Sequence, residues 1–419
     1  MPNNENNLSI RKNIKFICFG LLLAALSGPG QTFYISFFSA DIRAAFDLSI
    51  GGFNSFYSLA TLASAALLVF TGSFIDTKPL RAYAVAAVGG VGLSCLFMSQ
   101  ISSLIALVFV FTALRHFGQG LCMHTASTSI ARTFRANRGK ALSLVQMGQP
   151  LSEMIFPTLA VALTLWFGWQ QGWAVLGLAF IFIGVPIIVW LAGSEPRRAT
   201  DDDIDDQNSA SRREILKDWR FYAILPFYMT SAMLLTVLFL NQQILAEERG
   251  WSVGALAAAF TFFAIMRVPA SLLSGLCVDK FSARRIFPLT CVPFLLALLF
   301  LLFSRNITDG LFAYLIPYIY MGMIGMHVGT RVTIGGSIWP ELYGTKHLGS
   351  IRALTYSVLV FSTAAGPVLA GLMLDQGWGY DSLLWASLIY VVLSLPLLLF
   401  ALNRFPKTRP KNPALKARP

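Results

Sequence analysis

Long apolar runs separated by short polar breaks dominate the chain. A helix needs about 20 apolar residues to cross a hydrocarbon core of about 30 Å, and twelve of the runs are long enough. The first run follows a basic start but exceeds the apolar region of a signal peptide, so we predict that it is retained. The pattern therefore predicts twelve membrane-spanning helices, at residues 14–38, 52–75, 82–98, 104–130, 141–165, 171–192, 219–245, 252–278, 286–304, 310–338, 348–374 and 382–403.

The two halves of this pattern match each other. Gly72 and Asp76 recur as Gly275 and Asp279 at an offset of 203, and Met123-His124 recurs as Met326-His327 at the same offset. Order and offset agree together, which indicates an internal duplication. We predict an all-α integral membrane fold of two parallel six-helix repeats: an N-terminal half at 1–192, a cytoplasmic linker at 193–218 and a C-terminal half at 219–419. Five aspartates between residues 201 and 206 favour a solvated linker over a regulatory or metal-binding segment.

Composition and charge support this interpretation and set an orientation. Apolar residues make up 56% of the chain and charged residues 12%, which excludes an ordinary soluble protein. With the N-terminus inside, 26 of the 32 lysines and arginines fall in cytoplasmic segments and 3 outside, as the positive-inside rule expects. Both termini are therefore expected in the cytoplasm, and the net charge of +12 needs no nucleic-acid partner. The five cysteines have no zinc-type spacing, and we predict neither a metal nor a cofactor.

Two loop segments carry a family resemblance. GLCVDKFSARR, with Asp279, Lys280, Arg284 and Arg285, and GSFIDTKPLR, with Asp76 and Arg81, resemble the loop after the second helix in each half of the major facilitator superfamily. Arg115 with Gln119 and Gly120 resembles its fourth-helix motif, with the glutamine displaced by about one residue, and GPVLAG resembles its glycine-proline signature. The resemblance extends from about residue 14 to 403. It implies two halves that rock about a midplane site.

The aspartates of this loop have a physical reason to act as gates. A carboxylate at the end of one helix can accept hydrogen bonds from free amides at the start of a neighbouring helix, where the helix dipole favours an anion. We expect Asp76 and Asp279 to hold the cytoplasmic side shut in this way, together with the basic residues of the motif. The alternative is that both are ordinary loop charges with local partners.

Four ionisable residues fall inside predicted spans, where each is expensive and therefore a functional candidate. They are Arg115, Glu153, Arg267 and Arg331, and the surplus of cations favours an anionic substrate. Arg115 and Glu153 lie at similar depth, so Glu153 is either a structural partner of Arg115 or a proton-coupling group. Arg331 is expected to reach the interface. Arg267 has no acid within one helical turn, so we predict that it binds a ligand anion, with a partner such as Glu153 as the alternative.

A narrower resemblance supports the choice of Arg267. TFRANRGKALS, QPLSEMIFP and AIMRVPASLLSG are similar to the branch that contains monocarboxylate transporters and oxalate-formate exchangers. In that branch an arginine on the eighth helix is associated with the substrate carboxylate, and Arg267 matches it. The acid that monocarboxylate transporters place one turn earlier is absent here. Other polar residues are weaker candidates for lining the site: Arg115, Gln31, Tyr34, Tyr57, His124, Asn241, His327 and Tyr356.

We therefore predict a secondary transporter of small organic anions, expected to be monocarboxylates, that works by alternating access. Proton coupling through Glu153 is a hypothesis. The alternative is an efflux transporter of drugs or neutral metabolites in which Arg267 forms an internal ion pair. An enzyme is disfavoured because the sequence lacks HExxH, a P-loop and a serine elbow. The expected partners are an anionic small molecule, protons and the lipid bilayer, for a monomer in a cell inner membrane.

Overall fold

The computed structural model describes residues 10–134, 138–193, 212–343 and 348–405, and every regular element in these ranges is a helix. Eleven helices are long and apolar enough to cross a membrane, and a pair bent by 43° makes a twelfth span. The predicted all-helical membrane fold is confirmed. The acidic block of the linker lies outside the described residues. We number the spans α1 (Ile14–Gly30 with Thr32–Phe46), α2 (Ile50–Thr77), α3 (Leu80–Met98), α4 (Leu104–Thr133), α5 (Gly139–Phe167), α6 (Trp169–Ala192), α7 (Trp219–Leu240), α8 (Val253–Phe281), α9 (Ala283–Phe303), α10 (Gly310–Tyr343), α11 (Leu354–Asp375) and α12 (Tyr380–Asn403).

The bend in α1 lies where glycine and proline interrupt the apolar run. Gly28–Gly30 forms a 3₁₀ turn with Pro29 inside it, and Gln31 is extended before the helix resumes at Thr32. The turn brings α1 against α4, since a Cβ built on Gly30 would lie 2.1 Å from the carbonyl oxygen of Leu114. Only glycine allows so close an approach of two helix backbones.

We call α1–α6 the N half and α7–α12 the C half. The face at which α1 begins and α12 ends is the terminal face, and the opposite one is the far face. At the far face α2 and α11 touch through their backbones, because a Cβ built on Gly371 would lie 2.6 Å from the Cα of Gly51. Asp375, at the end of α11, accepts hydrogen bonds from the Ser49 hydroxyl at 2.8 Å and the Gly51 amide at 3.0 Å.

A second far-face contact joins α1 to the helix that follows α7, Gln242–Arg249. The Gln243 side-chain oxygen accepts from the Ser39 hydroxyl at 2.6 Å and the Ala40 amide at 2.8 Å, and its NH₂ group donates to the Phe37 carbonyl at 2.7 Å. Among the described residues, the hydrogen bonds and ion pairs that join the halves lie at the far face or at mid-depth. The structure is therefore closed at its far face.

Candidate functional site

An ion pair joins the two halves near the middle of the spans, between Glu153 of α5 and Arg267 of α8. Both residues are buried, with exposed fractions of 4% and 9%. The Gln149 side-chain oxygen, one turn before Glu153, also accepts from the Arg267 guanidinium at 3.4 Å. Each charge thus compensates the other where an isolated charge would be costly.

Small residues on α10 position the arginine. A Cβ built on Gly329 would lie 2.2 Å from the Arg267 carbonyl oxygen, and one built on Gly325 would lie 2.2 Å from that of Phe263. The two glycines let α10 pack directly on the α8 backbone, as small residues spaced by four do in membrane helices. On α5, Pro157 lacks the amide that would bond the Glu153 carbonyl, which weakens the helix at this carboxylate.

Arg115 lies within the N half and does not pair with Glu153. Its guanidinium donates to the Gly30 carbonyl at 3.3 Å and lies 4.9 Å from the centre of the Tyr57 ring. Thr32 shares a 2.6 Å hydrogen bond with the Tyr57 hydroxyl, which fixes that ring. The expected Arg115–Glu153 pairing is therefore wrong, because Arg267 of the opposite half takes the carboxylate.

Tyr356 of α11 lies opposite this cation. It is close enough to Arg115 to interact with it electrostatically, and 54% of the residue is exposed. Since Arg115 belongs to the N half and Tyr356 to the C half, this tyrosine faces the space between the halves. Tyr356 therefore stays a candidate for contact with a substrate near Arg115, whereas Tyr57 is fully buried against Thr32 and Arg115 of its own half.

Arg331 of α10 is the third buried cation. It donates to the Tyr228 carbonyl at 2.5 Å, and its guanidinium lies 4.2 Å from the Tyr228 ring centre and 4.9 Å from that of Phe287. The expectation that it reaches the interface is wrong, because the C half supplies these aromatic and carbonyl partners at depth. Among the described residues, neither Arg115 nor Arg331 forms an ion pair with an acid. The interior therefore keeps a surplus of positive charge.

Three of the predicted lining residues are bound inside their own half. Tyr34 is fully buried, with its ring 5.0 Å from that of Trp173. His327 bonds the Thr290 carbonyl through Nδ1 at 2.7 Å, and His124 bonds the Gly72 carbonyl through Nε2 at 3.0 Å. The full burial of Tyr34 and His327 contradicts the expectation that they face the substrate, whereas for the part-buried His124 it stays a prediction. The sequence could not predict these contacts, because the partners are an aromatic ring and two backbone carbonyls on other segments of the same half.

The two remaining lining candidates are both buried, Gln31 within the N half and Asn241 at the boundary between the halves. Gln31 is buried at the bend of α1 and donates to the Ser27 hydroxyl at 3.2 Å. Asn241 accepts from the Asn54 amide group at 3.1 Å, and Asn54 also donates to the Pro367 carbonyl of α11 at 3.0 Å. Asn241 therefore contributes to the far-face closure.

The predicted gating motif is bound within each half. Asp76 pairs with Arg132 at the end of α4, and 53% of the Asp76 side chain is exposed. In the C half the amides of Ala283 and Arg284, at the start of α9, donate to Glu341 at 2.7 and 3.3 Å, while Asp279 is exposed. Glu341 thus makes the contact that we expected of Asp279. The sequence analysis did not identify Glu341.

The basic members of the motif lie at the terminal face. Arg284 donates to the carbonyls of Leu402 and Phe405, which ties α9 to the end of α12. The other three are exposed: Arg81, Lys280 and Arg285. A gating role for these residues stays a prediction.

Gln243 and Asp375, which close the far face, also went unrecognised. Each lies in a short polar stretch that follows an apolar run, Asn241-Gln242-Gln243 in one case and Asp375-Gln376 in the other. Only the pairing of α1 and α2 with the opposite half gives them a role, and hydropathy carries no signal for that pairing.

Comparison with known proteins agrees with this architecture. The sequence profile of the Major Facilitator Superfamily matches residues 20–345 and 237–419. The chain is 22% identical over 376 residues to an uncharacterized MFS-type transporter, YcxA, of Bacillus subtilis (strain 168), covering 85% of this chain and 88% of the relative. It is 24% identical over 176 residues to a multidrug resistance protein B homolog of Mycobacterium tuberculosis (strain ATCC 25618 / H37Rv), covering 42% of this chain and 30% of that protein.

Solved structures show the same fold. The crystal structure of a bacterial homolog to the human lysosomal transporter Spinster, in an inward-facing and unoccupied conformation, superposes with a TM-score of 0.72 at 15% identity. The match covers 95% of this chain and 98% of that one. An inward-facing and occupied structure of such a homolog gives a TM-score of 0.66.

Proposed function

Because the chain belongs to the Major Facilitator Superfamily and is a multi-pass membrane transporter rather than an enzyme, we propose that it carries small organic anions, and monocarboxylates in particular. The observation that carries this proposal is the surplus of buried cations. Three arginines lie inside the spans, and Glu153 compensates only Arg267. A guanidinium is well suited to hold a carboxylate with two hydrogen bonds, so a substrate carboxylate would complete the charge balance.

The Glu153–Arg267 pair gives a route to proton coupling. A substrate carboxylate offers Arg267 the same acceptor chemistry as Glu153, so the two compete for one guanidinium. If Glu153 takes a proton, Arg267 is free for the substrate and the site stays neutral overall. The second carboxylate oxygen of Glu153 has no hydrogen-bond partner among the described residues, which leaves it available for that proton.

The orientation follows from the basic residues. The positive-inside rule places both termini in the cytoplasm, so the closed far face is external and the structure is the inward-facing state. The halves would then rock about the pair to expose the site to the other side. A cell inner membrane stays our proposal for the location of the protein.

One alternative keeps specific support. Arg267 is paired internally, as expected for an exporter of drugs or neutral metabolites, and one relative is named as a multidrug resistance protein homolog. In that case the pair would be structural and the substrate would not need an anionic group.

Ligand-induced thermal stabilisation separates the two proposals. Purified full-length protein is heated with lactate, glucose or a cationic dye, as wild type, Arg267→Gln and Arg305→Gln. Arg305 is a matched control because it is an exposed arginine that pairs with Asp381 at 2.9 Å. Stabilisation by lactate that only Arg267→Gln abolishes supports the anion proposal. Stabilisation by the dye alone, equal in all three proteins, supports the exporter.

Proton coupling is tested separately in proteoliposomes. Glu153→Gln mimics the protonated carboxyl, so it should retain exchange of lactate across the bilayer but lose accumulation driven by a pH gradient. Loss of both activities would leave Glu153 a structural residue. Retention of both would exclude it from coupling.

A further inference from the structure

A groove opens at the terminal face of the C half, away from the contact between the halves. It has a volume of about 850 Å³ and lies between the start of α7 and the end of α12. Its wall includes Lys217, Trp219, Phe400 and Arg404. None of the N-half residues that the structure describes lines it, so the groove is separate from the proposed substrate site.

The charges around the groove leave two cations available. Arg220 is engaged, since its Nε donates to the Asp218 carboxylate at 2.9 and 3.1 Å and its NH1 group donates to the Arg404 carbonyl at 3.2 Å. Asp218 also accepts from the Tyr343 hydroxyl at 3.0 Å. Lys217 and Arg404 are exposed, and neither forms an ion pair with an acid among the described residues. The groove therefore carries a net surplus of two positive charges.

The remaining wall is aromatic and exposed. Trp219 is 49% exposed and Phe400 54%, and their rings lie 5.6 Å apart. The Arg404 guanidinium lies 5.3 Å from the Phe400 ring. Aromatic residues at a helix end mark the boundary between hydrocarbon and headgroups. A ligand for this groove needs an anionic head for the two cations and an apolar body for the rings.

We propose that this groove binds an anionic phospholipid. The phosphodiester would lie between Lys217 and Arg404, and the acyl chains would run along Trp219 and Phe400 into the bilayer. Basic pockets between membrane helices bind lipid headgroups in this way. The proposal requires only that the chain spans a membrane, and it holds whatever the transported substrate is.

Native mass spectrometry of the full-length protein tests the site. Delipidated protein in detergent is titrated with palmitoyl-oleoyl phosphatidylglycerol and, separately, with the matching phosphatidylcholine. Wild type should bind the phosphatidylglycerol more tightly, and Lys217→Gln/Arg404→Gln should weaken it about 30-fold, since each cation near an anionic lipid is worth about fivefold. The variant Lys217→Arg/Arg404→Lys keeps both positive charges, so it should bind phosphatidylglycerol about as tightly as wild type does.

The matched control is Lys78→Gln/Lys140→Gln, which removes two exposed charges from the terminal face of the N half. It should bind phosphatidylglycerol as wild type does. Equal affinity for the two lipids, or equal loss in the control, would overturn the proposal. So would binding of inorganic phosphate with the same dependence on Lys217 and Arg404. Phosphatidylglycerol binding that appears only after residues 201–206 are deleted would assign the groove to the acidic linker instead.

Discussion

Glu153 of α5 and Arg267 of α8 form a buried ion pair across the boundary between the two halves. Neither side chain has a charged partner in its own half among the described residues. Any movement that separates α5 from α8 at this depth must therefore supply each group with a new partner, or supply Glu153 with a proton. The pair thus opposes any separation of α5 from α8 that does not replace these partners.

Removing one partner of this pair should destabilise the closed structure strongly. Arg267→Gln and Glu153→Gln each leave a buried charge without compensation, which costs about 3–5 kcal/mol in other proteins. The double variant leaves no buried charge at this site. Its loss of stability should therefore be smaller than the sum of the losses in the two single variants. Thermal unfolding in detergent of the four proteins measures this coupling, and strictly additive losses would contradict it.

Gly371→Ala should force the far face open. The added methyl would lie 2.6 Å from the Gly51 Cα, a distance that backbone atoms cannot accept. Spin labels at the exposed positions Ala45 and Gln376, in a cysteine-free background, should then report longer distances by double electron–electron resonance. Gly336→Ala is the control, because nothing lies within 4 Å of its Cβ position. An unchanged distance distribution in Gly371→Ala would mean that the contact does not hold this face shut.

Gln243→Ala should loosen the same face by another route. It removes two hydrogen bonds accepted from α1 and one donated to it, for a net loss of about 3 kcal/mol at about 1 kcal/mol each. Hydrogen–deuterium exchange of the Ala40 amide should accelerate by on the order of 100-fold. Gln376→Ala, at an exposed position of the same face, should leave this rate unchanged.

Asp218 should make the stability of the folded protein depend on pH. Burial opposes its ionisation, but hydrogen bonds from Arg220 and Tyr343 outweigh that and lower its pKa below the ordinary value. A carboxylate whose folded-state pKa is depressed stabilises the protein above about pH 4, and this contribution disappears as the pH falls through the folded-state pKa.

Asp218→Ala tests this contribution, because Asp218 also caps α7 through the Arg220 amide at 2.9 Å. The variant should lose about 1 kcal/mol at pH 7, as helix caps do. The difference in the free energy of unfolding between wild type and the variant should become smaller below about pH 4. Asp218→Asn keeps an acceptor and should lose less. If this difference in the free energy of unfolding stays constant from pH 7 to pH 3, the proposed role of the carboxylate is contradicted.

The sequence predicted the spans because each is a local feature, an apolar run of fixed minimum length. The depths of Arg115, Glu153 and Arg267 could also be read from their runs. The partner of Glu153 could not, because depth alone does not show which helices touch. Only the packing of α5 against α8 selects Arg267 over Arg115.

The displaced glutamine of the fourth-helix motif has a structural counterpart. Arg115–Cys122 is π-helical, and Gln119 lies within it. A π-helical turn accommodates one more residue than an α-helical turn, which accounts for a displacement of about one residue. The sequence showed the shift, but only the backbone shows how the helix absorbs it.

The glycine seam between α2 and α11 also bears on the bioenergetics of the host cell. Where Gly51 and Gly371 meet backbone to backbone, no file of water molecules fits between the helices. Protons hop along such files, so this contact closes one route by which protons could leak through the far face. A methyl group at Gly371 would force the two backbones apart, and the water admitted there should raise proton leakage even when no substrate is present.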